Sequence, residues 1–355
     1  MTNHNPYVSQ FLTIYSQSER STGGTRGYDP ETYVETKLDR ELIPKIFDLK
    51  TKLVILTGNA GDGKTAFIQR IEDKAEKDGA DFTKKTDNGC VFTLNGVKYE
   101  TLYDGSQDFE GAANDAVLSG FFNELEGSVE PSGLFTKIIA INEGKLRDFV
   151  LFKPQYKWLG KYVHHYLEYD DYKQHEALVY VNLNLRSVVN ENGSTDSILD
   201  CLLDKFLDID NSAAFWQPCA PENCSYCDKC YIRYNVDSFR DPKKGAEIRK
   251  RLKHLILTIH FRKLRHITMR DVRSILSFIL FNKFTCQQIQ KELDEGKLHV
   301  NRFYYNAVFD SGERDRIAQL LAEIDVAAVS NPKLDNFIHF NAPDNQELLH
   351  LMLQG

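Results

Sequence analysis

Eight consecutive residues, Gly58-Asn59-Ala60-Gly61-Asp62-Gly63-Lys64-Thr65, have the types and spacing that hold a phosphate chain. They fit the pattern G-x-x-x-x-G-K-[ST]. Glycines let the backbone wrap closely enough to aim N–H groups at phosphate oxygens. A helix opening behind them adds the partial positive charge of its N-terminus. Lys64 suits the β- and γ-phosphates and the Thr65 hydroxyl suits Mg²⁺; with Ala66, residues 58–66 form the nucleotide-binding set. The chain has no N-K-x-D base-reading motif of the kind found in GTPases, so the nucleotide expected is ATP.

Magnesium also needs a carboxylate from a neighbouring strand, and hydrolysis needs a group that positions water. Two segments compete. VKYETLYD delivers Asp104 to the end of a strand, and IIAINE ends in Asn142-Glu143, with asparagine where an aspartate is usual. Asp104 is assigned to the metal, Asn142 to sensing the γ-phosphate and Glu143 to orienting water. The plain alternatives are a turn residue before Gly105 and an exposed loop acid. Arg270, at the start of a helix, is a candidate for the γ-phosphate, and Arg186 a weaker one.

Cys219, Cys224, Cys227 and Cys230 form a second chemical cluster, CAPENCSYCDKC, spaced C-x4-C-x2-C-x2-C. A tetrahedral Zn²⁺ site is the first reading. An iron–sulfur cluster is the second, because C-x2-C-x2-C resembles ferredoxin spacing. Cys90, Cys201 and Cys286 are scattered and read as small apolar residues.

These residues need elements to position them. KLVILTG (52–58) is short, apolar and β-branched, as a buried strand is. A helix follows from Thr65 with Phe67, Ile68 and Ile71 on one face. Asn95-Gly96 between two strand-like runs marks a hairpin. A helix at 114–126 and strands at 137–142 and 177–185 complete an alternating pattern, which predicts a mainly parallel sheet covered by helices. Beyond about residue 195 the pattern turns helical. Ile248, Leu252, Leu255, Ile256 and Ile259 share a face, and Thr268 with Asp271 predicts a capping box for a helix through Ile279. KLDRELIPKIF before the first strand is also helical, with Pro44 as a possible interruption. The expected fold is α/β, a P-loop NTPase with a four-cysteine metal knuckle insertion and a C-terminal helical, lid-like domain. The divisions are a polar, Gly-rich lead-in and helix (1–50), a nucleotide-binding core (51–195), a cysteine-rich metal-binding insertion (196–240) and a helical lid and C-terminal region (241–355).

Composition is that of a soluble globular protein, with 42% hydrophobic and 27% charged residues and a net charge of −7. No apolar run is long enough for a membrane span. The N-terminus shows no secretory signal, so the expected location is cytoplasmic. Against this acidic background, residues 240–273 hold twelve Lys or Arg against three acids. Nucleic acid, an acidic partner, or solvent are the readings of that stretch.

Several segments together are familiar: TYVETKLDREL, LTGNAGDGKTAF, LYDGSQD, IIAINEGKLRDF, NLNLRSVV, YIRYNVDSF after the cysteines, and HITMRDVRSIL. The set resembles AAA/STAND-like P-loop ATPases of bacterial anti-phage defence. Among these are the ATPase of phosphorothioation-dependent DNA restriction and ATPase modules attached to protein kinases. The resemblance spans roughly residues 30–340. It implies Lys64 and Thr65 at the nucleotide, Asp104 at the metal and Asn142 as sensor, in the strand order of AAA-type proteins. Arg270 takes the place of the lid arginine. It implies ATP, Mg²⁺ and partner proteins of a defence system, and leaves room for the chain being one piece of a longer protein; DNA contact through 240–273 rests on the charge excess alone, and a homo-oligomer is open. The absent Asp-Glu pair sets vigorous hydrolysis in doubt.

Overall fold

The computed structural model describes residues 4–19, 33–109, 111, 113–169, 175–189, 197–210, 212–263, 266–297, 300–309 and 316–323. Most of the Gly-rich lead-in and the tail beyond 323 lie outside them. In chain order the elements are α1 (Pro6–Glu19), α2 (Lys37–Ile46), β1 (Leu53–Thr57), α3 (Lys64–Lys77), β2 (Asp81–Thr86), β3 (Gly89–Leu94), β4 (Val97–Leu102), α4 (Asn114–Phe121), β5 (Phe135–Ala140), α5 (Glu143–Phe152), α6 (Lys157–Tyr169) and β6 (Leu178–Asn182). The helices α7 (Ile198–Leu207), α8 (Tyr231–Arg240), α9 (Lys244–Lys263), α10 (Met269–Phe281), α11 (Cys286–Asp294), α12 (Tyr304–Ala307) and α13 (Arg316–Ala322) follow.

The architecture is α/β, with six strands in the order β2-β3-β4-β5-β1-β6. β4, β5, β1 and β6 run parallel, while β2, β3 and β4 form an antiparallel meander. Because side chains alternate along a strand, β1 feeds both faces. Leu53 and Ile55 pack with α4, α5 and α6, whereas Val54 and Leu56 pack with α2 and α3. All five residues of β1 are buried, which accounts for their unbroken apolar run.

The Asn95-Gly96 hairpin forms as expected, with φ of 53° and 80° at the two turn residues. β2 escapes the sequence reading because DFTKKT is polar and mostly exposed, as suits an edge strand guarded by lysines. The expected 177–185 strand stops at Asn182, whose side chain accepts the Asn184 N–H at 3.0 Å and turns the chain. Pro44 lies near the end of α2, which closes two residues later, so the helix is not broken. Lys137, fully buried on β5, bonds Glu100 of β4 and Glu124 at 2.6 Å each, joining the strands that end at the site.

A separate core is mainly helical and contains no strand residue. It draws in α1: Phe11 stacks on Phe281 of α10, and the Ser277 hydroxyl donates to the Phe11 carbonyl at 2.8 Å. The 1–50 lead-in is thereby shared, with α1 in the helical core and α2 on the sheet. Cys219 also lies in that core, so the cysteine segment is packed within the helical unit. Among the described residues, no helix is long and apolar enough to cross a membrane.

Candidate nucleotide-binding site

β1 hands over to α3 through residues 58–63, at the edge where parallel strands present their C-terminal ends. Gly58, Gly61 and Gly63 have φ of 142°, 96° and 88°. A Cβ on Gly58 would come within 2.9 Å of Asp62 Oδ2, and one on Gly61 within 2.9 Å of Arg270 Cβ and Thr268 Oγ1. Both conformation and close approach therefore require glycine here. Gly63 is the N-cap of α3 and supplies no side-chain cap. By contrast α7, α10 and α11 each carry a Ser or Thr capping box. The first turn of α3, Lys64, Thr65 and Ala66, thus keeps its donor end for a ligand, where an anion is favoured by the helix dipole.

The Lys64 ammonium donates to the Gly58 and Asn59 carbonyls, 2.8 Å each. Two of its three donors hold the loop in shape, and the third remains for an anion. Burial pulls its pKa below the ordinary value; Asp62 and Asp104 oppose this, and Arg270 adds to it. Asp62, Asp104 and Arg270, from three separate stretches of chain, thus all lie within electrostatic reach of Lys64. The Asn59 N–H is spent inside the protein, on Asp62 Oδ2 at 2.6 Å and Asn184 Oδ1 at 3.0 Å, so this amide is not among those offered to phosphate.

Asp104 follows β4, one strand removed from β1 because β5 lies between them. Asn88 grips its backbone on both sides, at 2.8 and 3.1 Å. Its carboxylate accepts the Ser106 N–H at 2.8 Å and Gln107 Nε2 at 2.7 Å. The Thr65 hydroxyl donates to the Tyr103 carbonyl at 3.5 Å, which brings α3 against the same strand end. Glu72 of α3 locks this spacing by accepting hydrogen bonds from Thr101 and Tyr103, both at 2.6 Å.

Ser106 ties Asp104 to Asn142, since its hydroxyl accepts the Asn142 N–H at 2.8 Å. Asn142 Oδ1 caps α5 by accepting the Gly144 N–H at 2.9 Å. Glu143 Oε2 accepts Asn182 Nδ2 at 3.4 Å, placing it between the ends of β5 and β6. Arg270 reaches the loop through its backbone as well, donating N–H to Gly61 O at 3.1 Å. Arg186 bonds the Asp62 carbonyl, and burial lowers its pKa against the pull of Asp62, Tyr33 and Asp39. This bond ties Arg186 to the loop backbone.

The sequence reading missed Asn88, Ser106, Gln107, Glu72 and His266. Asn88, Glu72 and His266 are lone polar residues whose partners are distant in sequence, and Ser106 and Gln107 bond Asp104 within a turn that carries no distinctive spacing.

The four clustered cysteines do not gather into a coordination shell. Among the described residues, no group of three or more His, Cys, Asp or Glu is arranged to hold a metal ion. The Cys227 thiol turns to Asp228 Oδ1 at 3.5 Å, with Cys224 as its other electrostatic neighbour. Cys286, the first residue of α11, lies within electrostatic reach of Cys219, Cys224 and Cys230, although these four do not form such a group either. Asn5 links two of them, giving Nδ2–H to Cys219 Sγ at 3.2 Å and its backbone N–H to Cys286. Burial pushes the Cys219 thiol up to about 12 and Cys230 up to about 11. A metal bound here would have to displace those protons.

The basic stretch is partly neutralised by folding. Arg249 pairs with Asp204, Lys253 with Asp200 and Arg251 with Glu247. Lys243, Lys244, Lys250 and Arg262 remain exposed. Arg265 lies outside the described residues.

The chain matches no family model, no curated protein and no solved structure.

Proposed function

We propose that this chain is an ATP-binding P-loop ATPase that serves as a motor or switch in a bacterial defence system acting on foreign nucleic acid. The observation that carries the nucleotide reading is the junction of β1 and α3. A glycine-capped helix N-terminus with Lys64 and Thr65 faces Asp104 from the next strand end but one, and Arg270 from the helical unit. Lys64 and the first-turn amides of α3 would hold the phosphates, with Thr65 and Asp104 at Mg²⁺. The metal would offset phosphate charge in the transition state. The defence role rests on the motif set quoted above, and DNA contact on the exposed lysines of α9 and its approach.

A slower, nucleotide-gated assembly module is the second reading. It is favoured by Asn142, which stands where an acid is usual and is already engaged in capping α5. Turnover of Mg–ATP by the full chain, with and without duplex DNA and at several salt concentrations, separates the two. The motor reading expects hydrolysis that DNA stimulates. It also expects weaker DNA binding in the triple variant Lys243→Glu, Lys244→Glu, Lys250→Glu, with the log–log salt slope reduced by ~0.9 per lost phosphate contact. If no duplex binds at low salt, with or without a non-hydrolysable ATP analogue, DNA is not the partner.

We also propose a thiolate-bound metal in the cysteine corner, zinc in the first instance, with Cys286 among its ligands. Elemental analysis of the purified chain is expected to find about one zinc per chain. Cys286→Ser and Cys224→Ser should release it, and Cys227→Ser should retain it. Loss in Cys227→Ser with retention in Cys286→Ser would restore the contiguous knuckle read from spacing. Iron with broad visible absorbance would mark an iron–sulfur cluster, and folded metal-free protein would eliminate the centre.

A further inference from the structure

Asp62 is an acid in the wrong place for a phosphate site. A carboxylate in the loop that should attract phosphate repels it, and the repulsion grows as water is excluded. Yet Asp62 is only 1% exposed and completely engaged in the fold. One oxygen accepts the Asn59 N–H at 2.6 Å, and the other meets His266 Nε2 at 2.8 Å. His266 belongs to the connection between α9 and α10, so this contact crosses from the α/β unit to the helical unit.

Three more contacts surround it. Arg270 N–H bonds Gly61 O at 3.1 Å, and Gly61 lacks the Cβ that would collide with Thr268 and Arg270. Arg316 of α13 donates to Asp271 Oδ2 at 2.8 Å and to the His266 carbonyl at 3.3 Å. A continuous series of bonds thus runs from Arg316 of α13, through His266 ahead of α10 and Asp62, to the backbone of Asn59.

We propose that Asp62 and His266 form a positioning pair that couples the shape of the phosphate loop to the seating of the helical unit. Nucleotide binding and docking of α10 then favour one another, and by linkage each strengthens the other equally. Both carboxylate oxygens of Asp62 are engaged within the protein, so the pair acts through the shape of the loop. The pair regulates nucleotide binding only if residues 58–65 take a nucleotide, as proposed above.

Amide hydrogen exchange on the nucleotide-free full chain tests the link without any ligand. His266→Ala should speed exchange in both 58–66 and 266–272, and His266→Gln, which restores a donor, should return both segments toward wild type. Titration with a fluorescent ATP analogue and Mg²⁺ should give affinity about tenfold weaker in His266→Ala, the order expected when a buried carboxylate loses a partner. His266→Gln should recover it. In wild type, bound analogue should slow exchange at 266–272 as well as at 58–66, a result that holds even if His266→Ala does not fold. Unchanged exchange and affinity in His266→Ala would overturn the coupling, as would protection confined to 58–66. A glutamine variant no better than alanine would reduce His266 to packing and also overturn it. Wild type and Lys64→Ala that both ignore the analogue would remove the nucleotide reading and the coupling to it. Exchange in nucleotide-free His266→Ala would then still decide whether the pair positions the loop.

Discussion

Lys64→Ala is expected to weaken Mg–ATP binding by at least about 100-fold while the protein stays folded. Losing one partner of a desolvated, hydrogen-bonded charge pair costs about 2–5 kcal/mol, and each 1.4 kcal/mol is tenfold in affinity. Lys64 makes two loop bonds besides, to Gly58 O and Asn59 O. Its loss therefore also loosens the cradle. Asn59 is exposed, so water can satisfy its carbonyl, and the buried anchors of α3 at Phe67, Ile68 and Ile71 are untouched. Isothermal calorimetry with a thermal melt on the same preparation separates binding from folding. Undiminished affinity in a folded variant would end the assignment of residues 58–65 to phosphate.

Asp104→Asn is expected to lower Mg²⁺-dependent ATP turnover by at least about 100-fold while ATP still binds. A metal acting on transferring phosphate contributes several kcal/mol through charge stabilisation, and weakening its hold forfeits much of that. The substitution nearly preserves shape. An asparagine carbonyl can still accept the Ser106 N–H, and Asn88 still holds the backbone at both ends. Turnover at rising Mg²⁺ concentration is the measurement, compared with Glu143→Gln. If Glu143→Gln stops hydrolysis and Asp104→Asn does not, the acid lies just beyond β5, at the start of α5, and Asn142-Glu143 is the acidic motif.

Both expectations depend on neighbours that differ in how readable they were. The loop and its lysine were legible because their constraint is local: glycine conformations, a helix start and a buried strand all fall within a few residues. The same holds for the Asn95-Gly96 turn and for the Thr268 capping box, where the Thr268 and Asp271 side chains complete each other across one helical turn. Helix ends were less legible. The helix expected over 114–126 closes at Phe121 and passes into a 3-10 turn at Asn123–Leu125.

The sequence by itself determined the glycine loop, the strand before it, the helix it opens and which half of the chain is helical, because periodicity and turn chemistry act over short distances. Tertiary structure alone decided which groups meet. Only the placement of β5 between β4 and β1 sets Asp104 opposite Lys64 and Thr65, and only the docking of α10 brings Arg270 and His266 to the loop. Four closely spaced cysteines suggested their own metal shell, yet Cys227 turns to Asp228, and among the described residues no group of three or more is arranged to hold a metal ion. The physical reason is common to these cases. A buried polar group must find a partner wherever packing supplies one, and packing brings together residues that no spacing in the chain records.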